Sequence, residues 1–503
     1  MRNRLRSIFS LRVVFFHLSL VFVAIPFWLK QQFGDELSCE QILFHIVTGP
    51  QALQGTDSKT FRNALLIVGL LPALITLLTF KARAILLVGL EAARRLYRLV
   101  RDLRLPYALQ RYWPHAVNTV VVLIFIGASY FLFEKLNVDD YVENLTGEDH
   151  FSALYVRPDT ESFRLPERPK NLVFIYVESL ERAFLDAKKM KKAAKPVFDL
   201  EGIEITDFKQ APGTGWSIAG MIASQCGVPL KPYFENHFEK LGVPAYLPGL
   251  TCLGDVLKPL GYKSTFIVGA DIRFSGMDKF YGPHGNDRVL GKDQFRERGV
   301  DPRLFTTWGD GIHDDTLYAE ALKLIDEHRR KGELFNLTIK TTDNHGPSGY
   351  PSPRCGSYER RKGIVGTFSC TSRQAAEFVD ELKRRGDLKD TQVVIMGDHL
   401  FMTDDEWFDD AFPQGRDIYV KFIGKEMPRA ARDRFTHFDM PASILDLLGI
   451  TNPSRSFGLG KSVFAVPDRE YLTVYRAMMD RSILNESATY FGFFSPTVSE
   501  TKR

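Results

Sequence analysis

The chain has 503 residues, a formal net charge of +4 and 45% hydrophobic residues. This length accommodates a membrane unit together with one large external domain. The positive excess falls mostly in one arginine-rich segment, residues 81–115, rather than along a surface that would follow a phosphate backbone. We therefore expect no nucleic-acid partner.

Three apolar stretches near the amino terminus each approach the length needed to cross a bilayer. They cover residues 11–29, 64–80 and 116–133, and about 20 residues span ~30 Å of hydrocarbon. The first stretch lacks a small-residue cleavage pattern, so we interpret it as an uncleaved anchor and not as a signal peptide. Residues 1–136 are predicted to form a membrane domain with three transmembrane helices.

The loops between these stretches predict the orientation of the chain. Residues 81–115 carry many arginines against two acidic side chains, whereas residues 30–63 are mildly acidic. The positive-inside rule places the amino terminus and residues 81–115 in the cytoplasm. Three spans then place everything after Phe133 on the outer side of the membrane.

The remaining chain alternates strand-like and helix-like segments. Residues 137–170 are acidic and then rich in proline and charge, as expected of a connector. Residues 171–503 follow, and examples of their alternation are a strand at 334–342, a helix at 374–385 and a helix at 441–448. Such alternation predicts a doubly wound α/β domain.

Residues with metal-binding side chains follow two strand-like runs of this domain. Glu178 comes directly after residues 171–177, and Asp398 and His399 follow residues 393–397. Both runs are rich in β-branched apolar residues, which predicts strands buried on both faces. Because sites in open parallel sheets form beyond the carboxyl ends of strands, we expect these side chains to meet at one edge.

A glycine-flanked turn supplies the candidate nucleophile. Residues 212–217 read Pro-Gly-Thr-Gly-Trp-Ser and lead into a helix-like segment, so the turn exposes the Thr214 hydroxyl and points helix-start amides at an anion. Together with the two carboxylates and the imidazole above, Thr214 predicts one divalent-metal site with a built-in nucleophile, because a metal lowers the pKa of a coordinated hydroxyl. Ser217 is the alternative nucleophile, although a local hydrogen-bonding role is the simpler interpretation.

Several strings along the chain carry a resemblance to a known family. They are NLVFIYVESLER at 171–182, PGTGWSIAGMIASQCGVPL at 212–230, WGDGIHDD at 308–315, TTDNHGP at 341–347, GDH at 397–399 and HFDMP at 437–441. These strings resemble the phosphoglycerol transferases that modify osmoregulated periplasmic glucans, relatives of lipoteichoic acid synthase in the sulfatase and alkaline phosphatase superfamily. The resemblance covers roughly residues 165–465, and the string around Thr214 is its most specific part.

The resemblance implies a multi-pass protein of the bacterial inner membrane whose sulfatase-like α/β domain lies in the periplasm. The implied reaction moves phosphoglycerol from phosphatidylglycerol to Thr214 and then to a hydroxyl of a periplasmic glucan or other glycan, with release of diacylglycerol. The family favours manganese as the cofactor, and the ligand set also suits magnesium or zinc. The implied metal ligands are Glu178, Thr214, Asp398 and His399.

The resemblance also assigns residues outside the ligand set. His345 is implied to hold the phosphoglycerol group, and Arg273 is a candidate for a second phosphate contact. His313 and Asp314 have two interpretations, either support of the site from behind or capping of the helix that starts near Asp315. We favour capping, since both residues directly precede that helix.

Three other functions are alternatives to phosphoglycerol transfer. Sulfatases carry a C/S-x-P-x-R motif that is converted to formylglycine, and neither Thr214 nor residues 226–229 fit it, so sulfate-ester hydrolysis is not expected. A phosphoethanolamine transferase acting on a glycan or lipid A would use the same metal and threonine. A non-catalytic membrane sensor is the third alternative, but the presence of all four ligands favours an enzyme.

Cysteine usage agrees with an oxidising compartment. Four of the five cysteines fall in the predicted external domain, where Cys226 with Cys252 and Cys355 with Cys370 are close enough in sequence to form disulfides. Cys39 is left over on the short external loop. We interpret it as either a free thiol or an intermolecular link.

Overall fold

The computed structural model describes residues 2–33, 38–43, 58–89, 107–185, 193–231, 245–346, 348–402 and 416–494. The chain divides into two compact units. The first consists of Met1–Cys39 and Asp57–Asp140, and the second of Glu40–Thr56 and Tyr141–Arg503. The apolar helices belong to the first unit and the sheet to the second.

The first unit contains the predicted spans. Its helices are α1 (Arg2–Phe33), α2 (Ser58–Ala64), the π-helical segment Leu65–Leu70 that continues α2, α3 (Leu71–Gly89) and α4 (Tyr107–Lys135). Three stretches, Leu11–Gln31, Thr60–Phe80 and His115–Lys135, are long and apolar enough to cross a membrane. The prediction of three spans is therefore confirmed by length and composition, whereas residues 90–106 of the arginine-rich segment lie outside the described residues.

A seven-stranded sheet forms the centre of the second unit. Its strands are β1 (Asn171–Val177), β2 (Ile203–Glu204), β3 (Lys263–Val268), β4 (Arg288–Leu290), β5 (Phe335–Lys340), β6 (Thr391–Gly397) and β7 (Val420–Ile423). Their order is β2-β7-β6-β1-β5-β3-β4. The five strands from β6 to β4 are parallel, and β7 runs antiparallel to both β6 and β2.

Helices cover both faces of this sheet, because alternate side chains of its strands point to opposite sides. On β1, Phe174 and Tyr176 belong to one hydrophobic cluster with Ile222, and Val173 and Ile175 belong to a second one. The first cluster includes side chains of the helices Ser217–Cys226 and Met440–Leu447, and the second includes side chains of Asp314–Arg330 and Gly363–Arg385. This three-layer arrangement confirms the predicted α/β class.

The described helices from residue 138 onwards are labelled α5 to α17 in chain order. They are Val138–Thr146, which begins just before the unit boundary, Phe151–Leu154, Lys195–Phe198, Ser217–Cys226 (α8), Leu253–Leu257 (α9), Met277–Tyr281, Lys292–Glu297, Asp314–Arg330 (α12), Ser357–Arg361, Gly363–Arg385 (α14), Met440–Leu447, Asp468–Met479 and Ala488–Gly492. Short 3-10 segments are Arg182–Leu185, Phe274–Gly276, Pro302–Leu304, Trp308–Asp310, Asp387–Lys389, His437–Asp439 and Arg481–Leu484. Strands of two or three residues pair as Asp207–Phe208 with Arg434–Phe435, Phe305–Thr307 with Gly311–Ile312, and Ser456–Phe457 with Gly460–Lys461.

Residues after 140 already pack as part of the second unit. Phe151 and Phe163 are buried in its hydrophobic core, and single bridges pair Val156 with Gly458 and Arg164 with Thr451. The segment predicted as a connector therefore lies against the α/β domain for much of its length.

Two disulfides lie in the second unit. Cys226 is bonded to Cys252, and Cys355 to Cys370. Both predicted pairings are therefore confirmed. Cys39 is buried and belongs to neither of these disulfides.

Lys231 is a buried lysine whose ionisation couples stability to pH. Its Nζ donates to the carbonyl oxygen of Asn485 at 2.8 Å and lies 4.7 and 5.0 Å from the ring centroids of Phe151 and Tyr490. Burial lowers the pKa of this ammonium to about 7. In an unfolded chain the pKa of lysine is about 10.4, so between pH ~7 and ~10 the unfolded state binds more protons than the folded state.

We therefore expect Lys231 to add a positive contribution to the change of stability with pH above 7, of up to ~1.4 kcal/mol per pH unit. Lys231→Met should make the slope of the apparent Tm against pH less positive than in wild type, because the variant has no proton to bind at that position. Thermal unfolding of both proteins between pH 6.5 and 9 measures the difference. Equal slopes in the two proteins would contradict the expectation.

Candidate metal centre at the carboxyl end of the sheet

Three of the predicted ligands meet where two central strands end. Strands β1 and β6 are parallel neighbours with Val177 opposite Gly397, so the residues that follow them lie side by side. One ligand atom from each of Glu178, Asp398 and His399 lies within 4.8 Å of the others. Their exposed fractions are 3%, 0% and 3%, so the cluster is shielded from water.

The residue after Glu178 holds both carboxylates in place. Ser179 has a φ of 55°, a left-handed conformation that is uncommon outside glycine and is concentrated at functional sites. Its backbone N–H donates to Asp398 Oδ1 at 2.9 Å, and its hydroxyl donates to Glu178 Oε1 at 2.9 Å. The strained backbone thus directs two hydrogen-bond donors at the two acidic groups.

The imidazole of His399 faces the carboxylates through Nε2. Its Nδ1 donates to the carbonyl oxygen of Leu400 at 2.7 Å, while Nε2 lies 3.3 Å from Glu178 Oε1 and 3.6 Å from Asp398 Oδ2. Burial disfavours the charged imidazolium, but the two carboxylates outweigh it and raise the pKa of His399 to about 9. The bond from Nδ1 fixes the ring so that Nε2 is the nitrogen available to a cation.

The fourth predicted ligand does not contact this cluster. The Thr214 hydroxyl is fully buried, and its one hydrogen bond within the described residues goes to the carbonyl oxygen of Ala211 at 2.6 Å. Ser217, the first residue of α8, is the hydroxyl that reaches the cluster, 3.3 Å from His399 Nε2 and 3.5 Å from Glu178 Oε2. Within the described residues, the Thr214 hydroxyl therefore donates to Ala211 and not to the cluster.

Helix α8 packs directly on the backbone of Asp398. A Cβ atom added to Gly220 would lie 2.0 Å from the Asp398 carbonyl oxygen, so only glycine permits this approach. The same oxygen accepts a 2.8 Å hydrogen bond from His437 Nε2. Burial lowers the pKa of His437 to about 4, which keeps this ring neutral. His437 lies in one of the strings that carry the family resemblance, but no sequence pattern indicates its role.

His345 lies beside an aromatic surface. Its ring stacks on Trp308 with a centroid distance of 4.6 Å, and Phe274 meets Trp308 edge-on at 4.6 Å. Burial lowers the pKa of His345, and its Nδ1 donates to the carbonyl oxygen of Gly346 at 3.1 Å. The neutral ring therefore offers Nε2 as a hydrogen-bond acceptor. Arg273, next to Phe274, pairs instead with carboxylates at Asp271 and Asp293.

A buried acidic network supports the loop that carries His345. Asp343 accepts hydrogen bonds from the Thr307 hydroxyl at 2.7 Å and from His313 Nδ1 at 2.9 Å. Asp314 accepts from the backbone N–H groups of Thr342 and Asp343. Helix α12 has no side-chain cap from His313, so the capping interpretation of that residue is wrong. The side chains of His313 and Asp314 instead bond residues 342 and 343, which follow the end of the neighbouring strand β5.

Lys340 is a member of the centre that sequence reasoning missed. It is the last residue of β5, and its Nζ contacts Glu178 Oε2 and lies 2.8 Å from Asp398 Oδ2. The available signal was a single cationic residue in a strand whose other side chains are apolar or uncharged. Burial opposes ionisation of Glu178, but Lys340 and His399 outweigh it and hold the pKa of that carboxyl well below its ordinary value.

The residues present fit a divalent cation. Two carboxylates and an imidazole, with a hydroxyl nearby, form a donor set that suits manganese, magnesium or zinc. Asp398 Oδ2 is buried and accepts no well-aligned hydrogen bond from the described residues. Lys340 Nζ, 2.8 Å from this oxygen, offsets part of the cost of burying it, and the lone pairs that no hydrogen bond uses remain for a divalent cation.

The residues of this centre lie in a part of the chain that is similar to known proteins. The Sulfatase family model matches residues 170–450, more than half of the chain, and that range contains every residue of the centre. The chain belongs to the sulfatase family. Phosphoglycerol transferase I from Shigella flexneri is 34% identical over 324 residues, which cover 63% of this chain and 41% of the relative. Phosphoglycerol transferase I from Escherichia coli (strain SMS-3-5 / SECEC) matches with the same identity and coverage.

This chain thus spans less than half the length of the curated relatives that it matches. The similarity to phosphoglycerol transferases and the family match confirm the resemblance found in the sequence strings. Glu178, Thr214, His345 and His399 all lie within the matched range of the family model.

Two solved structures are similar to this chain. The integral membrane protein lipooligosaccharide phosphoethanolamine transferase A from Neisseria meningitidis is 13% identical, with a TM-score of 0.49 and coverage of 88% of this chain and 85% of that chain. The lipoteichoic acid synthase LtaP from Listeria monocytogenes is 17% identical, with a TM-score of 0.47 and coverage of 65% of this chain and 80% of that chain.

Proposed function

We propose that this protein transfers phosphoglycerol from phosphatidylglycerol to hydroxyl groups of a periplasmic glucan or related glycan. The observation that carries the proposal is the buried cluster of Glu178, Asp398 and His399 next to the turn of Thr214, in a chain 34% identical to phosphoglycerol transferases. The reaction takes place at the outer face of the bacterial inner membrane, where a membrane-anchored domain meets its lipid substrate.

The first half-reaction forms a covalent phosphothreonine diester. The Oγ atom of Thr214 attacks the phosphorus of phosphatidylglycerol, and a new Oγ–P bond forms as the bond from phosphorus to the diacylglycerol oxygen breaks. The hydroxyl proton of Thr214 ends on that oxygen, which leaves as neutral diacylglycerol. Phosphoglycerol remains attached to Thr214.

The second half-reaction regenerates the threonine. A hydroxyl oxygen of the glycan attacks the same phosphorus, and the Oγ–P bond breaks. The proton of the glycan hydroxyl returns to Thr214 Oγ. Because the two substrates react in turn with one residue, steady-state kinetics should be ping-pong.

The cofactor of this reaction is a divalent metal, which we propose to be manganese. Glu178, Asp398 and His399 would hold it, and Thr214 would join them once its hydroxyl leaves Ala211. A divalent cation bound there supplies the positive charge that lowers the pKa of a coordinated hydroxyl and stabilises charge on the phosphoryl oxygens.

The glycerol headgroup binds beside His345 in this proposal. The neutral imidazole offers Nε2 to a glycerol hydroxyl, and its stacking on Trp308 keeps the ring in one orientation. The network of Asp343 and Asp314 holds the backbone of the same loop. Arg273 is the candidate for a second phosphate contact, while its Nε and Nη2 atoms bond Asp271 and Asp293.

The experiment that tests the proposal is mass spectrometry of the Thr214 peptide. Detergent-purified protein would be incubated with Mn²⁺ and either phosphatidylglycerol or phosphatidylethanolamine, without a glycan acceptor. We expect a phosphoglycerol adduct on Thr214 with the first lipid and no adduct with the second. A phosphoethanolamine adduct alone would assign the protein to phosphoethanolamine transfer. No adduct from either lipid in metal-loaded protein would contradict the covalent mechanism.

A further inference from the structure

Lys340 places a cation inside the candidate metal centre. Its side chain is 3% exposed, and its Nζ lies between Glu178 Oε2 and Asp398 Oδ2. Strand β5 pairs with β1 so that Lys340 lies opposite Tyr176, two residues before Glu178. The ammonium therefore reaches the two carboxylates from the end of strand β5, which neighbours β1 in the sheet.

The buried carboxylates of Glu178 and Asp398 require a positive charge beside them. Two carboxylates that share a buried site cannot both ionise unless a cation compensates them. An ammonium removed from water is equally costly without partners of opposite charge. Among the described residues, Glu178 and Asp398 are the groups that Lys340 Nζ contacts. Lys340 and the two carboxylates thus stabilise one another, and His399 Nε2 adds a further contact 3.3 Å from Glu178 Oε1.

We propose that Lys340 balances and positions the two carboxylates, so that the centre is already assembled before the metal arrives. This inference rests on the metal centre of the proposed function. Lys340 acts through the ligands and not on the substrate.

A second buried lysine offers a matched control. Lys421 lies on β7 and is 4% exposed. Its Nζ donates to the carbonyl oxygens of Phe198 and Leu200 at 2.5 and 2.9 Å and lies 3.6 Å from Glu204 Oε2. Loss of Lys421 therefore removes a buried strand lysine of the same sheet without touching a candidate ligand.

The test compares the apparent Tm of the full-length protein in detergent after chelation and after addition of Mn²⁺. The proteins are wild type, Lys340→Met, Lys340→Arg and Lys421→Met. We expect chelated Lys340→Met to melt about 10 °C below chelated wild type, since it leaves two buried carboxylates unbalanced. Mn²⁺ should recover at least half of that loss, so the metal-induced rise in Tm is larger than in wild type.

The other variants should behave differently. Lys340→Arg keeps the charge and should show the metal-induced rise of wild type, and Lys421→Met should lose stability equally with and without Mn²⁺. If chelated Lys340→Met does not fold, Lys340→Arg still tests the proposal.

Two results would overturn the inference alone. One is a metal-induced rise in Tm that is the same in Lys340→Met as in wild type, and the other is a chelated Lys340→Arg that melts about 10 °C below chelated wild type although it keeps the charge. A wild-type protein that neither binds Mn²⁺ nor gains Tm from it would overturn the metal centre itself, and the role of Lys340 with it.

Discussion

Thr214→Ala should lower the transfer of phosphoglycerol by about 10⁴-fold or more, because the variant has no oxygen to form the covalent diester. The change removes one hydrogen bond, to Ala211, so the fold should survive with an apparent Tm within about 3 °C of wild type. Release of diacylglycerol from phosphatidylglycerol measures the loss. The assay needs no knowledge of the acceptor, since it follows the first half-reaction.

Ser217→Ala is the matched control for this prediction. Ser217 lies one helical turn away and contacts Glu178 and His399, so it is the other hydroxyl that could serve as nucleophile. We expect Ser217→Ala to keep activity within about tenfold of wild type, since it loses only a hydrogen bond in the centre. Full activity in Thr214→Ala together with an inactive Ser217→Ala would move the nucleophile to Ser217.

Glu178→Gln should remove most of the bound metal and lower transfer by ~10²–10³-fold. The amide has nearly the same shape as the carboxylate but no negative charge, and an amide is a weaker ligand for a divalent cation. Mn content after gel filtration and the rate of diacylglycerol release measure the two effects.

Asp439→Asn is the control for Glu178→Gln, because it distinguishes the loss of a metal ligand from the loss of a buried negative charge. Asp439 is as buried as Glu178 and bonds Arg432, the Thr436 backbone and Tyr471. The Asn variant should melt at a lower temperature, since it leaves Arg432 without its charge partner, but it should retain its Mn. Undiminished Mn in Glu178→Gln would show that Glu178 is not a ligand.

The strands and the residues that follow them were predictable because each signal is local. Runs such as residues 171–177 and 393–397 are apolar enough to be strands buried on both faces, and parallel strands of one sheet place their carboxyl ends together. Glu178, Asp398 and His399 were found in this way. The disulfides were predictable for a related reason, since their partners are near neighbours in sequence.

The residues that were missed depend on distant partners. Lys340 approaches Glu178 across 162 positions of the sequence, and no short pattern around it indicates a carboxylate. His313 precedes a helix and so resembles a capping residue, but Asp343 competes for its ring across a neighbouring strand end. The direction of the Thr214 hydroxyl depends on the backbone of its turn, which composition does not determine.

The disulfide between Cys226 and Cys252 links the last residue of α8 to the residue just before α9. Helix α8 begins with Ser217 and directly follows the turn of Thr214, so the turn and helix that carry the two candidate nucleophiles have a covalent anchor at their far end. Such a bond forms in an oxidising compartment and not in the cytoplasm. With the periplasmic location that we propose for this domain, the helix would gain this anchor only after export.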